Sequence, residues 1–200
     1  MYDPQPSGNV GKRRIIRNME SNTVKTAIKA KDLKNYIRDI PDFPKKGIVF
    51  KDITTLLNNP AAFKKAMDLL VKRFRKERID YVVAVESRGF IFGSVLAYKL
   101  GAGFVPVRKK GKLPYKTKSV TYDLEYGTDT LEVHEDAILA NSRVLIADDL
   151  LATGGTVKAV VELMQHIQAN VVGVVFLVEL TFLKGKEKLK GAPVYSIIKY

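Results

Sequence analysis

Hydrophobic and polar positions change period several times along this chain, and the changes mark out alternating helices and strands. Val24 to Arg38 places Ile28, Leu33 and Ile37 near helical spacing, and Pro41 and Pro44 then break the chain around Phe43. Gly47 leads into the short apolar run Ile48 to Phe50. After Pro60, the residues Phe63, Met67, Leu70, Val71 and Phe74 recur at intervals of three and four, which predicts a helix. Tyr81 to Val85 is a continuous Val-rich run, too short for a helix, and reads as a strand buried on both faces. The same logic predicts a helix from about Phe90 to Leu100 and another from about Gly155 to Gln168. It predicts strands over Phe104–Val107, Val144–Ala147, Val171–Val178 and Val194–Ile198. Thr117 to Val133 differs: its looser alternation around Gly127 predicts two antiparallel strands forming an arm or hood.

Strand–helix–strand repetition implies an α/β fold, a Rossmann-like parallel sheet flanked by helices, with the small antiparallel hood attached. Ligands of such sheets bind beyond the carboxyl ends of the strands. A length of 200 residues with 46% hydrophobic content suits one domain, read as residues 23–200 with a flexible hood loop at about 109–135. Residues 1–22 are polar and carry Lys12, Arg13, Arg14 and Arg17. They read as a flexible basic extension: a disordered tail, a cloning leader or a weak targeting segment.

Composition narrows the chemistry. There is no cysteine, which removes disulfides, thiolate metal sites and thiol nucleophiles and is compatible with a cytoplasmic location. The longest apolar stretch, Val171 to Leu180, contains Gly173 and Glu179 and is far short of the roughly 20 residues a membrane span needs, so no membrane partner is expected. The formal net charge of +13, from 34 Lys and Arg against 21 Asp and Glu, attracts polyanions, either nucleic acid or small polyphosphates. Arg108, Lys109, Lys110, Lys112, Lys116 and Lys118 form a cluster without an acidic residue. No helix-turn-helix or base-stacking aromatic pattern accompanies that charge, so nucleic acid is not an expected partner. His134 and His166 lack ligand companions at useful spacing, so no protein-held zinc is expected.

The most informative segment is Val144 to Thr156. After the strand come Asp148 and Asp149, then Leu150, Leu151, Ala152 and the run Thr153, Gly154, Gly155, Thr156 at the mouth of a helix. Such a loop offers unpaired backbone N–H groups and the positive end of the helix dipole. The glycines allow close approach to a phosphate and the threonines add hydroxyl donors. No lysine follows the glycines, so this is not an ATP-type P-loop. Two carboxylates beside a monophosphate cradle suit the vicinal hydroxyls of a sugar and a hydrated Mg²⁺. Side by side, these features describe a ribose 5-phosphate site. A strand cap followed by an ordinary turn is the plainer alternative.

Strand–DDxxxTGGT–helix resembles the phosphoribosyl diphosphate (PRPP) motif of type I phosphoribosyltransferases. The blocks DFPKKGIVFKDITTLL, ESRGFIFG, RKKGKLP, YDLEYG, ADDLLATGGT and LVELTFLKG are similar, in order, to the adenine phosphoribosyltransferase family over about residues 37–200. The resemblance implies the type I phosphoribosyltransferase fold and a purine-salvage reaction, in which adenine and PRPP give AMP and pyrophosphate. It also implies Mg²⁺ arriving with PRPP, and a homodimer in which Arg108 acts across the interface. Enzymes for 6-oxopurines carry an acid/base Asp where this chain has Ala152, which cannot move a proton. An enzyme of the same class acting on hypoxanthine or xanthine, and a PRPP-sensing regulator that binds nucleic acid, are the rival readings.

Residue by residue, the resemblance implies that Glu125 is the catalytic acid at adenine, its pKa raised by desolvation when the hood closes; a plain surface strand residue is the alternative. Asp148, Asp149, Ala152, Thr153, Gly154, Gly155 and Thr156 would hold phosphate and ribose. Glu86, Ser87, Arg88, Arg108, Lys109, Lys112 and Tyr126 would bind pyrophosphate, with Glu86 to Gly89 forming a loop. Phe43 and Phe50 would flank adenine, with Leu180 on the opposite wall and the backbone of Val49 and Lys51 reading its polar edge. Phe43 as plain core stays open. Lys51 replaces the family's commoner Arg, and Thr55 its usual Pro.

Overall fold

In a computed structural model, the protein is described over residues 28–123, 127–189 and 191–200. Its centre is a seven-stranded sheet in the order β5-β6-β4-β3-β7-β8-β9. The strands β3 (Tyr81–Val85), β4 (Gly103–Lys109), β7 (Arg143–Leu151), β8 (Asn170–Glu179) and β9 (Val194–Lys199) run parallel. The hood strands β5 (Thr117–Asp123) and β6 (Thr128–His134) add antiparallel beyond β4. From β3 the chain steps outward to β4 on one side, whereas β7 starts the other half, so the strand order reverses between β3 and β7. A crevice opens at such a switch point, because the two connections leave in opposite directions.

Both faces of the sheet are covered, as the unbroken apolar strands require. Alternate residues of β7 divide between the two cores. Leu145 and Ala147 pack with α2 (Pro60–Phe74) and α3 (Arg88–Leu100) on one face. Val144 and Ile146 pack with Val157, Val160 and Leu163 of α4 (Gly155–His166) on the other. Helix α2 starts where the sequence places it. The Asn59 side chain accepts from the Ala62 amide at 3.0 Å and Pro60 occupies the first turn, where its missing N–H costs nothing.

Several boundaries differ from expectation. The segment expected to be helical from Val24 to Arg38 is, in its described part, a 3-10 helix at Ala30–Tyr36, and Arg38 already belongs to a strand. That strand, β1 (Arg38–Pro41), pairs antiparallel with β2 (Val49–Asp52), a two-stranded sheet missed because Pro41 reads as a break. Pro41 ends an edge strand, where a missing donor is tolerated. Between β2 and α2 lies the single turn α1 (Thr54–Leu57). Strand β7 continues to Leu151, past the expected end at Ala147, because β8 is long enough to pair with Asp148, Leu150 and Leu151. Helix α3 begins at Arg88, so Arg88 and Gly89 are helical and the expected Glu86–Gly89 loop shortens to Glu86 and Ser87. Helix α4 ends at His166, and Gln168 takes a left-handed conformation just beyond it. Among the described residues, no helix is long and apolar enough to cross a membrane. The basic extension at residues 1–22 lies outside the described residues.

Candidate active site

A cleft of about 360 Å³ opens at the carboxyl ends of β3 and β7, lined by Glu86 to Arg88, by Asp148 to Val157, by Lys109 at the end of β4, and by the hood residues Tyr122 and Asp129. Its floor is the turn between β7 and α4. Gly154 has a φ of +80°, and no side chain caps the helix that follows. The first amides of α4 therefore lack helical partners and remain available to a ligand. A Cβ on Gly154 would run into the Gly185 carbonyl, and one on Gly185 would run into the Ala152 carbonyl. The turn is pressed against the segment after β8, and both contact points need glycine.

The two aspartates sit on the last part of β7. Asp148 Oδ1 accepts from the Asp149 amide at 2.8 Å, and Asp149, only 4% exposed, has Oδ2 3.0 Å from Arg88 Nε. Burial and the neighbouring Asp149 charge push Asp148 well above the usual carboxylate range. Burial also raises Asp149, against the pull of the Arg88 guanidinium. The pair holds protons more readily than isolated carboxyls do, so a cation or hydroxyl donors arriving in the cleft would favour its ionisation. Gly89 approaches it closely: an added Cβ would lie 2.9 Å from Asp148 Oδ1 and 3.1 Å from the Ala147 carbonyl. Close approach, and not a loop, explains this glycine.

The cationic wall is organised by acids. Glu86 accepts from Arg108 Nε at 2.8 Å and from the Lys109 amide at 2.7 Å, while Arg108 also donates to the Lys112 carbonyl at 3.1 Å. Burial opposes the Glu86 charge, but the Lys109 amide and Arg108 outweigh it and hold the carboxyl below its ordinary value. Its carboxylate is thus a holder of cations, since a carboxylate would repel a diphosphate. Lys109 faces the cleft and pairs with Asp129 at 2.9 Å, which raises the lysine and lowers the acid. Arg108 and Lys112 are not among the residues that line the cleft.

The expected base-binding residues form a shelf beside this cleft. Phe43 is 51% exposed, so the plain-core alternative does not hold, and its ring meets Phe50 edge-on at 5.2 Å. The Arg88 guanidinium lies 5.5 Å from the Phe50 ring centre, so one arginine touches both the shelf and Asp149. Val49 is exposed, and the Leu180 amide donates to the Leu151 carbonyl at 2.9 Å, tying that wall to the end of β7. The Lys51 side chain turns to Asp39, 2.7 Å away. Thr55 uses the hydroxyl that a proline would lack, donating to the Tyr36 carbonyl at 2.6 Å. Glu125 and Tyr126 lie outside the described residues, between the ends of β5 and β6.

Three comparisons bear on this arrangement. Residues 52–199 match the family model described as phosphoribosyl transferase domain. The chain is 60% identical over 169 residues to the adenine phosphoribosyltransferase of Syntrophotalea carbinolica, covering 84% of this chain and 99% of that one. The chain belongs to the adenine phosphoribosyltransferase family. Among solved structures, the adenine phosphoribosyltransferase of Thermoanaerobacter pseudethanolicus superposes with a TM-score of 0.83 at 52% identity, covering 86% of this chain and all of that one (100%). That of Saccharomyces cerevisiae, solved with adenine and an imino-altritol bisphosphate, gives 0.79 at 46% identity over 84% and 97% of the two chains.

In this member of the adenine phosphoribosyltransferase family, Tyr122 and Asp129, which line the cleft, and Gly185, which packs against its turn, escaped the sequence reading. Tyr122 comes within 3.4 Å of the Thr156 hydroxyl. The hood's alternation could have put Tyr122 and Asp129 on an inner face, but nothing local said which face looks at the cleft. Gly185 stood in a recognised block, yet its partner Ala152 is more than thirty positions earlier.

Proposed function

We propose that this chain transfers the 5-phosphoribosyl group of PRPP to adenine, giving AMP and pyrophosphate, with residues 23–200 working as one domain. The observation that carries the reading is the single arginine, Arg88, reaching from the aspartate pair to the aromatic shelf. It puts a diol-and-phosphate cradle next to a surface suited to a flat base. In the forward reaction the C1′–N bond to adenine forms as the C1′–oxygen bond to pyrophosphate breaks, and positive charge develops at the ribose.

In this account the α4 amides, Ala152, Thr153, Gly154, Gly155 and Thr156 bind the 5′-phosphate, while Asp148 and Asp149 accept from the ribose hydroxyls. Ser87, Arg88, Lys109, Lys112 and Tyr126 bind pyrophosphate, with Glu86 and Arg108 orienting that wall. Phe43 and Phe50 flank adenine, Leu180 closes the far side, and the backbone of Val49 and Lys51 reads the base edge. Glu125, kept protonated when the hood closes, donates to the imidazole nitrogen of adenine and stabilises charge on the base as it enters or leaves. Closure of the hood excludes water from the developing charge.

Mg²⁺ suits the donor set. The paired carboxylates offer only oxygen, and among the described residues no group of three His, Cys, Asp or Glu could hold a metal independently. Asp148 and Asp149 would hold it together with the donor's own oxygens, and its role there is to neutralise charge on the leaving diphosphate. A homodimer, as the resemblance implies, would give cover to the exposed hydrophobic side chains Ile91 and Tyr98 on α3 and Phe104 on β4, Tyr98 being 83% exposed. For Arg108 to serve the partner's site, as the resemblance implies, its side chain would have to leave Glu86, which it contacts at 2.8 Å. A cytoplasmic site of action goes with this reading.

The test is base preference. With PRPP and Mg²⁺, purified protein should consume adenine far faster than hypoxanthine or guanine, forming AMP and pyrophosphate in equal amounts. Equal or reversed preference would end the adenine assignment.

A further inference from the structure

The Lys51 side chain, on the strand whose backbone is assigned to adenine, points away from the base shelf and is only 10% exposed. It is held there by Asp39 at 2.7 Å and by the ring of Tyr200, whose centre lies 4.1 Å from Lys51 Nζ. A second ammonium, Lys34 Nζ, sits 4.0 Å from the same ring and donates to the Lys199 carbonyl at 3.2 Å. Tyr200 is tied equally firmly to the other wall. Its carbonyl accepts from the Thr181 amide at 2.9 Å and from the Thr181 hydroxyl, and its amide donates to the Glu179 carbonyl at 3.0 Å. Thr181 directly follows Leu180.

One residue outside the base shelf therefore joins both of its sides. Its ring fixes β2 through Lys51, and its main chain fixes the Leu180–Thr181 turn. An aromatic face attracts an ammonium by about 0.5–2 kcal/mol, more as water is removed. Asp39 restrains the same ammonium from the β1 side. The small β1–β2 sheet has no ladder to the main sheet, so core packing of the flanking Ile37 and Ile53, together with side-chain ties such as these, sets its distance from Leu180.

We infer that Tyr200 is a positioning residue for base recognition, setting the gap between the β2 wall and the Leu180 wall through its paired contacts with Lys51 and Thr181. It touches no reacting group. The inference rests on the adenine assignment above. The phosphate cradle rests on β7, α4 and Gly185, and Tyr200 reaches it only through the Thr181–Gly185 segment, so loosening Tyr200 acts more on the acceptor than on the donor.

The test is steady-state kinetics of the full chain with each substrate varied in turn. Tyr200→Leu should raise KM for adenine about tenfold, the loss of roughly 1.4 kcal/mol, and leave KM for PRPP within about twofold. Tyr200→Phe, which keeps the ring, should stay near wild type. If Tyr200→Leu does not fold, Lys34→Met removes one of the two cations without touching the site, and should raise the adenine KM about twofold to threefold with PRPP unmoved. Unchanged adenine KM in the folded variants, or equal rises for both substrates, would overturn the inference while wild-type turnover of adenine stands. A wild-type protein inert toward adenine would instead overturn the functional reading, and this inference with it.

Discussion

The cleft at the end of β7 and the shelf on β1–β2 are built by opposite means. The cleft is embedded: Asp149 is buried on a central strand, and the TGGT turn is pressed on Gly185 without room for a methyl group. The shelf is peripheral, a two-stranded sheet with Phe43 and Val49 open to solvent, fastened by side-chain ties to Tyr200 and Tyr36. The difference matches the ligands assigned to each. A charged phosphate and diol need prepositioned donors and acceptors, which a rigid frame supplies. A flat apolar base is held by two faces whose spacing matters more than the placement of any one group.

The largest effect expected belongs to neither half. Glu125→Gln should cut turnover with adenine by roughly 10² or more if Glu125 is the acid that stabilises charge on the base. Turnover near wild type would remove it from that role. Next comes the rigidity of the cleft. Gly185→Ala places a methyl against backbone on both sides of the phosphate turn. An overpacking cost of about 1–3 kcal/mol should weaken PRPP binding about tenfold or more, read by calorimetry. Unaltered affinity would show that the turn is softer than its packing implies.

A smaller effect separates function from stability at one residue. Asp148 titrates above the ordinary carboxylate range because burial and the neighbouring Asp149 disfavour its charge. A raised folded-state pKa contributes stability below the unfolded value and loses it as pH rises through the folded one. At neutral pH the charge therefore destabilises the fold. Asp148→Asn keeps the oxygen that accepts from the Asp149 amide, so it should raise Tm by a few degrees at pH 7. In wild type, PRPP affinity should fall with decreasing pH already above the ordinary Asp range, and the variant should flatten that dependence. A lowered Tm together with an unflattened profile would contradict the account.

The same contrast decided what could be read from the sequence. β3, with its unbroken Val-rich run, and α2, with its cap, period and Pro60, are specified by near neighbours and match the structure. The aspartates, threonines and glycines of the Asp148–Thr156 segment, ordered by near neighbours too, line one cleft. The β1–β2 sheet was not foreseen, because its register depends on pairs such as Arg38 with Asp52, fourteen residues apart, and Pro41 masks it locally. The base shelf was named only through the family resemblance, and that resemblance does not show that Lys51 faces Tyr200 or that Arg88 joins shelf to cleft. Those facts arise from packing between distant segments. The shared Arg88 also marks the place where the two halves could prove to be one.

The most direct measurement of their separation is a crossed one, pairing Asp148→Asn with Phe43→Ala. For each, calorimetry gives Kd for PRPP with Mg²⁺ and steady-state kinetics gives KM for adenine. Asp148→Asn should weaken PRPP about tenfold and leave the adenine KM within about twofold, since a hydrogen bond to a charged group is worth roughly 1.5–3 kcal/mol. Phe43→Ala should raise the adenine KM about threefold to tenfold and leave PRPP unmoved, on the roughly 0.5–1.5 kcal/mol of an aromatic contact. If each variant shifts both ligands by the same factor, the cleft and the shelf are one coupled site, and the division drawn between them is wrong.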